Sequence, residues 1–349
     1  MRLERRTHVP ASVAVLAALS AVVAALALSG VLIALAGANP LRAYWQILVS
    51  AFGSRLAITE TLARTTPLIL TGLAAAIAFR ARLWNIGAEG QFYLGALAAA
   101  AIGHSTLTGL PAFLAIPLLL LAGAIAGGVL LLVPLLLRLR FQVDEVVTTL
   151  LLNFVAILFV SMMIEGPLKD PLAFGWPQSV PVASELLLPK IVPGTRLHVG
   201  LIVAVLAAVA VWALEARTVL GFESRAAGLN PRAAQFAGVS LPRTLVAVAC
   251  LSGALAGLGG ALEVTGLKGY VTTDLSPGYG YSGIVVAMLA GQHPLGVIAA
   301  ALFVAVVFVG TDGMSRALGV PTFIADVTVA ISLLTMLVAL LFTTYKVRR

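Results

Sequence analysis

The charges of this chain lie between long apolar blocks, and the first block, Ala11 to Ala38, contains no charged residue at all. A bilayer core of roughly 30 Å is crossed by about 20 apolar residues in a helix. The chain supplies that length again and again. Soluble domains carry roughly 25% charged residues, whereas this chain is 10% charged and 60% hydrophobic. Its mean hydropathy is +1.06. The pattern predicts an all-α, polytopic integral membrane protein with about ten transmembrane helices in a single domain over 1–349.

The blocks place spans at about 11–37, 62–79, 86–103, 112–137, 146–164, 199–216, 244–264, 281–292, 295–311 and 323–343. Pro117 and Pro134 are expected to bend the fourth. Met1 to Arg6 followed by an apolar run looks like a secretory signal, but a run of about 27 residues exceeds the roughly 7 to 15 of a signal core. An uncleaved first span is expected.

With the N-terminus inside, 14 Lys and Arg fall on the inner side: Arg2, Arg5, Arg6, Arg80, Arg82, Arg138, Arg140, Arg217, Arg225, Arg232, Arg243, Lys346, Arg348 and Arg349. The outer side receives 8, namely Arg42, Arg55, Arg64, Lys169, Lys190, Arg196, Lys268 and Arg316. This asymmetry predicts that both termini are cytoplasmic. It also accounts for the net charge of +8. No basic run is interleaved with aromatics, so nucleic acid is not an expected partner.

Chemistry-bearing motifs are absent. There is no GxxxxGK[ST] phosphate loop and no HExxH, the histidines are scattered, and the single Cys250 lies in an apolar block. Covalent catalysis, a metal site and ATP binding by this chain are therefore not expected. The Gly123-xxx-Gly127 and Gly253-xxx-Gly257 pairs read as close helix packing.

The sharpest local signal is FRARLWNIGAEGQFYLGA at 79–96. Asn85, Glu89, Gln91 and Phe92 interrupt an apolar run. A carboxylate at the bilayer centre costs about 2.5–3.5 kcal/mol on insertion scales, so Glu89 needs a cavity, a partner or an interface. Asn85 and Glu89 are four apart and would share a helix face. One reading is a discontinuous helix lining a substrate path. The other is the inner mouth of span 3, with Asn85 as its cap. Asn153 deeper in span 5 suits either an interhelical hydrogen bond or the path. Glu263 could reach water, pair with Lys268 or line the path. Asp144 and Glu145 suit a helix N-terminus, and Asp326 an interface. Trp176, Tyr270, Tyr279 and Tyr281 fit an outer aromatic belt or a surface for stacking a planar base.

Two loops exceed mere connection. The outer one, about 165–198, is rich in proline and carries Trp176. The inner one, about 215–243, is amphipathic and basic. Asn230-Pro231 predicts a break there, with Asn capping a helix whose first residue is Pro.

Three segments carry a resemblance: LWNIGAEGQFYLGA at 83–96, VDEVVTTLLLNFVA with MIEGPLKDPLAFGWPQS over 143–179, and GFESRAAGLNPRAAQFAGVSLPRT at 221–244. Together they resemble permease subunits of ABC importers. The branch is that of simple-sugar, branched-chain amino-acid and nucleoside permeases, and the nucleoside type is the most similar. The resemblance implies that the 215–243 loop docks on an ATPase subunit. Glu223, Ala226, Ala227, Gly228, Leu241 and Pro242 follow the pattern of such loops, about one residue off the wider consensus. Gly221, Glu223, Arg225, Gly228, Asn230, Arg232, Gln235 and Gly238 are the implied coupling residues. The alternative for this loop is an amphipathic helix lying on lipid.

The resemblance further implies no cofactor on this chain, with ATP and Mg on the ATPase. The implied partners are ABC ATPase subunits, a second permease chain (a heterodimer before a homodimer), a periplasmic or lipid-anchored substrate-binding protein and membrane lipid. The implied location is the bacterial cytoplasmic membrane. Alternative cargoes are a simple sugar, riboflavin or a branched-chain amino acid. A different class, the ion-coupled carrier, would rest on Glu89 and Glu263 and leaves the 215–243 loop without a role.

Overall fold

The computed structural model describes residues 2–5, 11–105, 107 and 109–348. Arg6 and Arg349, placed on the inner side above, lie outside them. The helices in order are α1 (Ala11–Leu35), α2 (Pro40–Phe52), α3 (Arg55–Arg80), α4 (Ala88–Gly103), α5 (Ala112–Phe141), α6 (Glu145–Glu165), α7 (Gly200–Arg217), α8 (Val219–Leu229), α9 (Pro231–Phe236), α10 (Leu241–Glu263), α11 (Tyr279–Leu289), α12 (Pro294–Leu318) and α13 (Thr322–Thr344). Each of the ten expected spans has a helix. Among the described residues six helices are long and apolar enough to cross a membrane, or seven if the bent α1–α2 pair counts as one span. The chain is thus a multi-pass membrane protein. It divides into two units, residues 1–61 with 302–349 and residues 62–301.

In the first unit α1 packs on α13. At the ends of the otherwise helical chain Arg2–Arg5 pairs antiparallel with Tyr345–Arg348. Between the first two expected spans lies α2, which sequence reading left as a loop segment. Asn39 caps it, its side chain accepting from the amides of Leu41 and Arg42, and Pro40 takes the first position. The chain bends by 112° between α1 and α2.

In the second unit α4, α5 and α10 pack backbone against backbone. A Cβ on Gly127 would lie 2.3 Å from the Gly253 carbonyl oxygen, and one on Gly257 would lie 2.2 Å from that of Gly123. The two glycine pairs are therefore a packing seam, as their spacing predicted. α3 is 89% buried over its most apolar stretch, whereas α5, α6 and α7 are 22–28% buried.

Three boundaries differ from the hydropathy reading. α3 begins at Arg55 and not near residue 62, so Arg55, expected before the span, belongs to the helix together with Arg64. Its first turns are polar, and hydropathy misses them because protein covers them: Thr61, Thr65 and Thr66 are each at most 2% exposed. α12 runs on to Leu318 and takes in Arg316. α5 passes through Pro117 and Pro134 as one helix of 30 residues.

Candidate functional site

α3 ends at Arg80, and the chain turns back through Arg82, whose φ is 54°. Residues 83–86 have no regular structure, and α4 starts only at Ala88. Asn85 therefore lies in the turn and does not share a helix face with Glu89, as its spacing had suggested. The reason is local. The Asn85 Oδ1 accepts the Gly87 amide at 3.0 Å, a side-chain turn that competes with helix. Asn85 and Gln91 exchange two side-chain bonds, at 3.0 and 2.9 Å. Asn85 Nδ2 also donates to Ser252 Oγ at 3.0 Å, and Ser252 donates to the Ala74 carbonyl at 2.7 Å. The turn has thus climbed back beside Ala74, six residues before the end of α3. α4 is a helix of 16 residues that starts inside the bundle.

A second break mirrors it. α10 passes into a π-helical turn, Val264–Lys268, and Gly269 turns with φ 78°. The chain then re-enters the bundle to start α11 at Tyr279. Ser276 Oγ accepts the amides of Gly278 and Tyr279 at 3.1 and 2.8 Å. Glu89 Oε2 accepts the Gly280 amide at 2.6 Å. The first turn of α4 thus supplies the carboxyl oxygen that caps the first turn of α11, where amides have no partner within the helix. Thr71 of α3 donates to the Tyr279 carbonyl at 2.9 Å. The Phe92 ring lies 5.9 Å from the Tyr279 ring.

Asn153 of α6 ties both breaks together. Its Oδ1 accepts the Gly90 amide at 2.8 Å, and its Nδ2 donates to the Ile86 carbonyl at 2.8 Å and the Tyr281 hydroxyl at 3.3 Å. Asn85, Glu89, Gln91, Phe92 and Asn153 are all at most 3% exposed. Sequence reading found these five and missed Thr71, Ser252, Ser276 and Tyr281. The first three are single hydroxyls in apolar or loop sequence, without a motif to mark them. Tyr279 and Tyr281, read from sequence as part of an outer belt or a stacking surface, contact Phe92 and Asn153 in this knot.

Glu263 stands apart from it, at the end of α10 and 4% exposed. Its charge acts on Lys190 of the 165–198 loop. Lys268, the partner considered for Glu263, holds Asp274 at 3.6 Å. Burial, then the neighbouring Arg196, holds the Lys190 amine below its ordinary pKa, and Glu263 opposes them. Beside it His198 is buried, its Nδ1 accepting the Gly200 amide at 3.1 Å. Burial, then Lys190, pushes the His198 imidazole down to about 4.

The 215–243 loop contrasts with the knot. It forms two short helices broken at Leu229-Asn230, as the sequence predicted. The Asn230 Oδ1 accepts the Ala233 amide at 3.2 Å and so caps α9. Glu223 accepts the Thr244 hydroxyl at 2.9 Å, and Gly238 turns the chain with φ 89°. Gly221 and Gly228 are buried. A Cβ on Gly228 would fall 2.0 Å from the Arg80 carbonyl oxygen, so this glycine seats α8 on the end of α3. Arg225, Asn230, Arg232 and Gln235 are exposed. So are Phe222 (69%), Leu229 (69%) and Phe236 (97%), apolar anchors that a motif-based reading passed over. Among the described residues no three His, Cys, Asp or Glu side chains group to hold a metal.

The family model for the permease component of branched-chain amino acid transport systems matches residues 57–340. The chain belongs to that family of ABC permeases. Permease subunits of this kind are not themselves enzymes, and they work with ATPase and substrate-binding partners. This permease is 37% identical to the glucose ABC transporter permease protein TsgB13 of Haloferax volcanii, over 99% of this chain and 93% of the relative. It is 36% identical to the guanosine ABC transporter permease protein NupP of Bacillus subtilis, over 90% and 91%. It is 34% identical to the nucleoside ABC transporter permease protein NupB of Lactococcus lactis, over 90% and 88%. The permease thus falls in the simple-sugar and nucleoside branch that its motifs resembled.

Proposed function

We propose that this chain is the permease of an ATP-driven importer of nucleosides or related purines in a bacterial cytoplasmic membrane. One observation carries the reading: α4 and α11, short helices of 16 and 11 residues, start at chain breaks and their first turns meet at a buried polar knot. Transporters build substrate sites at such breaks. The substrate path runs past Asn85, Glu89, Gln91, Phe92 and Asn153, with Glu263 near its outer end. Ten helices cross the membrane, and pairing of the two chain ends favours an even number of crossings. Both termini lie in the cytoplasm, which matches the excess of Lys and Arg on that side.

The exposed face of α8 and α9 docks on the ATPase, where ATP and Mg are bound, and no cofactor sits on this chain. A binding protein delivers cargo to the opposite side, and a second, different permease chain completes the path. The guanosine and nucleoside relatives support the cargo. The glucose relative supports a second reading in which the same machine imports a sugar.

The test is uptake of labelled adenosine and guanosine into proteoliposomes holding this permease with its neighbouring permease, ATPase and binding protein. Uptake that ignores excess ribose and glucose is expected. Uptake abolished by either sugar replaces the cargo.

A further inference from the structure

Between the exposed loop and the buried knot lies the short turn from Arg80 to Asn85, held by named contacts on two sides. On one side the α8 backbone rests on it, since Gly228 leaves no room for even a Cβ beside the Arg80 carbonyl oxygen. The Arg80 guanidinium pairs with Glu215 at the end of α7, the residue that leads into the loop. Glu215 is 5% exposed and Arg80 23%, so this pair is shielded far more than a surface ion pair. On the other side Arg138 of α5 donates to the Arg82 carbonyl at 3.2 Å and to Glu145 of α6 at 2.8 Å. Three residues on from Arg82, Asn85 enters the knot that positions the start of α4.

We infer that the Arg80–Asn85 turn is a transmission joint, in which the Arg80–Glu215 pair makes α7, α8 and the start of α4 move as one body. The inference rests on the docking role proposed for α8 and α9. A displacement of α8 cannot be absorbed at Gly228, because backbone meets backbone there. It cannot be absorbed at Arg80 while the side chain is clamped to Glu215. It passes along five residues to Asn85 and the first turn of α4. Packed interfaces of this kind shift between discrete arrangements and do not deform continuously. Arg80 and Glu215 are thus positioning residues that act through the knot.

The test uses the complete importer, with Cys250→Ser and a fluorophore on Trp84→Cys, which is 44% exposed in the native chain. The readouts are co-purification of the ATPase, its hydrolysis rate and the ATP-dependent fluorescence change at position 84, none of which needs the cargo. Glu215→Gln and Arg80→Gln should retain the ATPase and its hydrolysis. The fluorescence change should fall several-fold, the range expected when one coupling contact is removed. The reversed pair, Arg80→Glu with Glu215→Arg, should recover it. If the reversed pair does not assemble, Glu215→Gln decides alone.

A fluorescence change that is absent in the parent, or undiminished in both single variants, overturns the joint. So does an assembled reversed pair that recovers nothing. Arg225→Glu on the exposed face separates this from the docking reading. If it keeps the ATPase bound with full hydrolysis, the docking surface itself is misplaced.

Discussion

Two polar regions stand out in this apolar permease, and the structure treats them in opposite ways. Around Asn85 the polar groups are buried and spend their hydrogen bonds on one another. Around Arg225 the charged and amide side chains Arg225, Asn230, Arg232 and Gln235 are exposed, while Ser224, Asn230 and Glu223 bond within the loop or to Thr244 at its end. The first region is built to hold two broken helices in one arrangement. The second leaves Phe222, Leu229 and Phe236 exposed beside its cations, the surface proposed above to dock on the ATPase. A polar residue in a membrane chain therefore takes its meaning from whether its partners lie within the chain.

That contrast predicts which substitutions destroy the fold and which destroy only the coupling. The largest effect should come from Asn153→Ala. It strands the Gly90 amide and the Ile86 carbonyl in the interior, and each such orphan costs about 1–3 kcal/mol. Thermal unfolding in detergent should fall sharply, and an unchanged midpoint would break the comparison. Gly228→Val should come next, because α8 can no longer sit on Arg80. Overpacking of this kind costs about 1–3 kcal/mol, so both stability and ATPase binding should drop together. If only binding drops, Gly228 faces the ATPase and not α3.

Glu89→Gln sharpens the account of the knot. The neutral amide keeps its oxygen on the Gly280 amide but removes the ionisable carboxyl from the helix N-terminus. The stability loss should be about 0.3–2 kcal/mol, with assembly intact. Uptake should fall further than stability does if Glu89 lines the path. Uptake that tracks stability alone would give Glu89 a purely structural role.

A control region outside the spans gives a pH signature. His198 is buried neutral, with its pKa pushed from 6.5 down to about 4. Between those values the unfolded chain binds the proton and the folded one does not. Its contribution to stability is therefore full above pH 6.5 and is lost as the pH falls toward 4. The whole swing is about 3 kcal/mol at most. His198→Asn should flatten the stability profile over that window, and an unaltered profile would remove His198 as its cause. The smallest stability effect belongs to Arg225→Glu, an exposed site where changes usually stay within about 0.5 kcal/mol. Its effect should appear in ATPase co-purification instead.

Much of this was legible in the sequence. The apolar blocks located a helix for each expected span, because lipid imposes a composition that no soluble core requires. Asn230-Pro231 gave the break between α8 and α9, since cap chemistry is local. The polar interruption at 85–91 marked one half of the knot. The other half stayed hidden. Ser252 and Thr71 are lone hydroxyls whose partners lie more than 150 residues away in the chain, and no local pattern encodes that distance. Tyr279 and Tyr281 looked like interfacial aromatics because the dip of the chain before α11 depends on packing against Glu89. The polar start of α3 escaped hydropathy because protein, not lipid, surrounds it.

The most direct test of the contrast is site-specific photo-crosslinking from position 225 in the assembled importer, in its native membrane. The account predicts an adduct with the mass of this permease plus its ATPase subunit. Adducts with lipid alone would contradict it, and would make α8 and α9 a membrane-surface element with no coupling role.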